Sequence, residues 1–119
     1  MPRDRKLYVL SRADLPPGLQ AAQAAHAAFQ FAVEHPLLTE AWHSGSNYLI
    51  LLSVPDEQSI VRLADDLRAV GVAFSLVREP DVGDEATALA VEPSPCNAWF
   101  SHLPLLGRAP GAALAEVAA

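Results

Sequence analysis

NYLILLSV, residues 47–54, is apolar almost without interruption. A strand with one wet face alternates apolar and polar residues, whereas a strand covered on both faces reads as a continuous apolar run. The run therefore predicts a central strand in a sheet layered between helices. Its flanks supply the helices. Upstream, LPPGLQAAQAAHAAFQF at 15–31 places Pro16 and Pro17 where a first helical turn tolerates proline, which predicts a helix from about Pro17 to Glu34. His35-Pro36 ends it, because the residue before proline is pushed out of helical geometry. A loop with Trp42 and Gly45 then leads to the apolar run. Downstream, Asp56 can cap a second helix whose Ile60, Leu63, Leu67 and Val70 recur at three- and four-residue steps, with Gly71 at its stop.

Three further strands complete the outline: KLYVLS at 6–11, VAFSLV at 72–77 and TALAV at 87–91. Between the last two lies REPDVGDEA, a polar loop holding Glu79, Asp81, Asp84 and Glu85. Ser94-Pro95 opens a short third helix through Trp99 and Phe100, stopped by Pro104. This alternation predicts an α/β fold: a three-layer α/β/α sandwich around a four-stranded mixed sheet, mostly parallel with one antiparallel strand, with helices on both faces. Residues 1–106 read as a single domain and 107–119, GRAPGAALAEVAA, as a low-complexity tail.

Bulk properties agree with one globular domain. A chain of 119 residues buries roughly two-thirds of the surface its unfolded state exposes, enough for a core without staples. No apolar run approaches the roughly 18 residues of a membrane span. The N-terminus carries no small-residue cleavage site, so the expected location is cytoplasmic. The single cysteine, Cys96, excludes an internal disulfide and a cysteine cage for metal. His26, His35, His43 and His102 lack ligand spacing, and the acidic loop lacks the alternation of a calcium loop. No metal or other cofactor is expected. The net charge of −6 argues against nonspecific nucleic-acid binding driven by overall charge. Arg3, Arg5, Lys6 and Arg12 against Asp4 nevertheless give the first twelve residues a local +3, leaving −9 for the remainder, a distribution compatible with a basic rim at one end.

In open α/β sheets ligands bind beyond the carboxyl ends of the strands. Arg12 ends the first strand and Arg78-Glu79 end the third. On the first helix Leu19, Gln23, His26 and Gln30 form one stripe within about 60° of rotation, and the alanines on the other faces permit close approach to the sheet. The stripe either faces water or turns Gln23 and His26 toward the crevice, where an imidazole can shuttle protons near neutral pH. Glu79 is either a solvated loop carboxylate or a base that orients water.

Taken together, several segments resemble the type-2 peptidyl-tRNA hydrolase family: the strand ending in RADL, the AAQAAHAA helix, the Trp42-to-Gly45 approach, SVPDEQSIVRLADDL, VREPDVGDEATALAVEPSP and the closing HLPLL. The resemblance covers residues 6–106 in order. It implies hydrolysis, without a metal, of the ester joining a peptide or N-blocked amino acid to tRNA, by a protein that is often a homodimer. The implied catalytic residues are Glu79, His26 and Thr87, with Arg12, Asp14, Gln23 and Arg78 binding substrate. Asp81 is the other candidate for the acidic residue. Two departures stand out. The family's glycine- and lysine-rich run is replaced by PPGLQ, with Leu19 at the lysine position, and the loop after the third strand is shortened. A leucine can neither donate to an oxyanion nor attract phosphate. The alternative function is accordingly an inactive descendant that binds a small ligand or a protein in the same crevice.

Overall fold

The computed structural model describes residues 5–108. The element order is β1 (Lys6–Arg12), α1 (Pro17–Glu34), α2 (Pro36–Ser44), β2 (Tyr48–Val54), α3 (Glu57–Val70), β3 (Phe74–Glu79) and β4 (Glu85–Val91), with 3₁₀ turns at Pro80–Val82 and Pro95–Trp99. The sheet order is β2-β1-β4-β3. β1 and β2 are parallel, and β4 runs antiparallel to both β1 and β3. Three strands thus share a direction and one opposes them. That is the mixed α/β sheet expected, with the opposing strand lying between β1 and β3.

Each face of the sheet carries its own core. On one side Tyr8, Leu10, Leu89 and Val91 pack with Ile60, Ala64 and Leu67 of α3, closed by Phe100, whose ring meets Tyr8 edge-on at 5.0 Å. On the other, Leu7, Val9, Ala88 and Ala90 pack with Ala24, Ala27 and Phe31 of α1. Alanine therefore meets alanine where α1 crosses β4, and only such small side chains let a helix lie this close to a sheet.

Four readings change. NYLILLSV is an edge strand: its exposure falls from Tyr48 and Leu49 to the buried Leu52 and Val54. Its outer side is covered instead by chain from the C-terminal end, since Ser53 N–H donates to Pro104 O (2.9 Å) and Leu106 N–H to Leu51 O (2.9 Å). A continuous apolar run reports cover on both faces and says nothing about which neighbours lie in the plane. The segment after His35 is a helix, because the same proline that ends α1 occupies the first turn of α2 with its φ already helical. The third helix is a 3₁₀ turn whose start is fixed by Ser94 Oγ accepting from Cys96 N–H. β3 is displaced by two residues toward the loop that joins it to β4, and β4 begins two residues earlier than expected while ending at the same Val91. α1 and α3 match their expected bounds, with Asp56 accepting from Ser59 N–H and Gly71 at φ 76°. Arg3 and the tail beyond residue 108 lie outside the described residues.

The polar stripe of α1 has a structural use. β3 is the other edge strand, and exposed edges leave backbone groups unpaired. Gln30 Nε2 donates to Leu76 O (2.9 Å) and His35 Nε2 to Phe74 O (3.1 Å), while Ser75 Oγ donates to Glu34 Oε1 (2.5 Å). The carboxyl half of the helix thereby seals the edge.

Candidate functional site

The site is built where β1 and β3 end and β4 begins. Glu79 pairs with Glu85 and Arg78 with Ala86, but Val77 pairs with Ala88, so the register skips Thr87. An extra residue in one strand re-aims its side chain. Ala86 and Leu89 face the α3 core and Ala88 faces α1; the bulge adds Thr87 to the α1 side.

There the Thr87 hydroxyl donates to Gln23 Oε1 at 2.5 Å, and Gln23 Nε2 donates to Glu79 Oε2 at 3.1 Å. Thr87 and Gln23 are fully buried. A buried amide is tolerated only when its polar atoms are paired, and each end of Gln23 has the partner its chemistry requires. The other Glu79 oxygen accepts from Asp81 N–H at 3.2 Å. Donation by Gln23, then by the Asp81 backbone, holds the half-buried Glu79 carboxyl below the usual carboxylate range; partial burial opposes this and the charge of His26 adds to it. Asp81 itself is exposed and contributes its backbone, which distinguishes the two acidic candidates.

His26, one turn beyond Gln23, is exposed. It lines an open groove of about 460 Å³ between α1 and β3 together with Phe29, Val33, Val77, Arg78 and Glu79. Arg78 is exposed on the rim, with a 3.4 Å contact to Asp84 O, and also borders a second groove beside Val61 and Arg62 of α3. Thr87, Gln23 and Glu79 are thus linked by hydrogen bonds, and His26 and Arg78 share a groove with Glu79.

Arg12 and Asp14 are placed differently. The Arg12 guanidinium is buried and grips Asp14 in two parallel bonds (Nε to Oδ1 and Nη2 to Oδ2, both 2.9 Å). Its Nη1 donates to Glu85 Oε1 (2.6 Å) and to Ala86 O (3.2 Å). Hydrogen bonds donated to Asp14 and then to Glu85 raise the Arg12 pKa further despite burial, and Arg12 in turn lowers that of Asp14. These two residues, expected to bind substrate, are bonded to each other and tie β1 to the start of β4. Arg5 and Lys6 lie at the opposite end of β1, roughly 20 Å away at about 3.3 Å per residue, and among the described residues β1 carries no basic side chain between Lys6 and Arg12.

Sequence reasoning missed Glu85 as a partner of Arg12, Glu57 as acceptor of the Ala86 N–H (2.8 Å), and Phe29 and Val33 as groove walls. The i,i+4 spacing of Phe29 and Val33 on the helix face next to His26 was the available signal. Among the described residues no three histidine, cysteine or carboxylate side chains gather as metal ligands, and no helix is long and apolar enough to cross a membrane. A model of the family described as peptidyl-tRNA hydrolase PTH2 matches residues 5–106. No curated protein matches the chain.

Proposed function

Because the chain belongs to the peptidyl-tRNA hydrolase PTH2 family, we propose that it hydrolyses the ester between a peptide or N-blocked amino acid and the terminal ribose of tRNA. The observation that carries this reading is the Thr87–Gln23–Glu79 chain, which fixes one carboxylate at the mouth of a groove that His26 and Arg78 also border. In the proposed reaction Glu79 holds a water by one of its protons and takes that proton as the oxygen attacks the ester carbonyl. The carbonyl oxygen becomes an oxyanion facing His26 and Arg78. The C–O bond to ribose then breaks, and the proton returns from Glu79 to the leaving oxygen.

A carboxylate held below its usual pKa is always ionised at neutral pH but is a weak base. Its main contribution is therefore the position of the water, and stabilisation of the oxyanion supplies the rest. Leu19, at the family's lysine position, offers no donor for that purpose. In this reading Arg78, which lines the same groove as Glu79, substitutes for it. Thr87 and Gln23, being buried, act on substrate only through Glu79, and Arg12 with Asp14 sets the start of β4. Peptidyl-tRNA as substrate, a cytoplasmic location and a homodimer that leaves this groove open complete the proposal.

The test is release of an N-blocked amino acid from tRNA by the purified protein. Turnover well above the uncatalysed rate is the expected result. No turnover in a folded preparation would favour the second reading, an inactive descendant binding a ligand or protein in the groove, which Leu19 and the net charge of −6 also favour.

A further inference from the structure

We infer that the groove between α1 and β3 is the acyl subsite, and that it selects esters whose amino acid has a large apolar side chain. The inference rests on the hydrolase reading and adds which part of the substrate lies where. Phe29 and Val33 stand one turn apart on α1, 75% and 80% exposed, and both line the groove that Glu79 and His26 border. Exposed large apolar side chains that adjoin polar reactive groups mark a surface made to be covered. The volume of about 460 Å³ is that of a small-molecule site.

Charge separates the two ends of the substrate. Glu34 and Glu79 line this groove, and two carboxylates repel the phosphates of tRNA. Arg78 stands on the rim shared with the groove beside α3, where Arg62 adds a second cation; of the two carboxylates there, Asp65 is paired with Arg68 and Glu57 accepts from Ala86 N–H. With the scissile carbonyl held between Glu79 and His26, the nucleotide leaves past Arg78 and the amino-acid side chain lies along Phe29 and Val33. Leu37 is 85% exposed but lies on α2, outside the groove.

The same tRNA charged with N-acetylphenylalanine or with N-acetylglycine is offered to the wild-type chain and to Phe29→Ser, Val33→Ser and Leu37→Ser. The wild type should prefer the phenylalanyl ester by roughly tenfold in kcat/KM, the scale of an apolar pocket's discrimination. Phe29→Ser and Val33→Ser should reduce that ratio to about threefold or less, chiefly through KM, while Leu37→Ser keeps it. A wild type without preference, or a ratio the two groove variants leave intact, overturns the inference. So does a drop from dimer to monomer in Phe29→Ser, seen by sedimentation, since a second copy would then own the patch.

If no ester is turned over, the hydrolase reading fails and the groove is tested separately with N-acetylphenylalaninamide and N-acetylglycinamide by NMR. Shifts at Phe29, Val33 and His26 with the first amide only, lost in Phe29→Ser, uphold the subsite. Absence of shifts overturns it.

Discussion

Thr87 and Gln23 are 64 residues apart in the chain and 2.5 Å apart at their polar atoms, with the hydroxyl donating to the amide oxygen. Since both are buried, that bond decides which way the amide faces and hence that its N–H points to Glu79. Thr87→Val keeps the volume and removes the donor, leaving Gln23 Oε1 buried and unpaired. A loss of about 1–3 kcal/mol is predicted, read as a lower denaturant midpoint at unchanged slope. Adding Gln23→Leu should cost less than the sum of the two single changes, because the bond can be lost only once.

The pH dependence follows from the carboxyl at the end of this chain. Glu79 titrates below the ordinary 4.5 in the folded state. Its contribution to stability is therefore complete above that value and is lost as pH falls through the folded pKa. Gln23→Leu removes the largest cause, so a carbon-detected titration should find the Glu79 pKa moved up toward 4.5. Any acid limb that Glu79 gives the hydrolytic rate should lie below pH 4.5. A limb above 4.5 that disappears in Glu79→Gln would contradict this account of its environment.

Arg12 is a clamp, and its loss should register as stability. Arg12→Met strips two carboxylates of their partner. Each is 42% exposed, so water regains part of the interaction. The expected cost is about 1–3 kcal/mol, below that of breaking a fully buried pair. Arg12→Lys should recover little, since an ammonium cannot form the two parallel bonds to Asp14. The Asp14 pKa is lowered in the fold, so its share of this stability is present at neutral pH and fades as pH falls below about 3.8. Denaturation at pH 7 and at pH 3 measures both effects.

These residues also show what the sequence can and cannot disclose. Helix bounds were legible because prolines, Asp56 and Gly71 act locally, and the α/β class because apolar period is local too. The place of β2 was not, because strand order depends on contacts far apart in the chain, here with residues 104–106. At the site, the crevice at the ends of β1 and β3 and the meeting of Gln23 with Glu79 could be anticipated. The bulge that aims Thr87 could not, since nothing in ATALA marks which residue the partner strand will skip. Nor could the occupation of Arg12, which needs Glu85 beside it in space.

The close seat of α1 on β4 is tested by Ala27, which is fully buried among Phe31, Ala88 and Ala90. Ala27→Leu should destabilise by about 1–3 kcal/mol through overpacking, and should disturb activity as well, since Gln23 rides on the same helix. Ala25→Leu, on the exposed face, should do neither.

The central claim is that Glu79 orders the attacking water. The most direct measurement is the single-turnover rate of N-blocked aminoacyl-tRNA hydrolysis by wild type, Glu79→Gln and Asp81→Asn at neutral pH. The account predicts a fall of about 10²-fold or more in Glu79→Gln, the scale of a positioned acid or base, and little change in Asp81→Asn. A Glu79→Gln protein, shown to be folded, that turns over at the wild-type rate would contradict it.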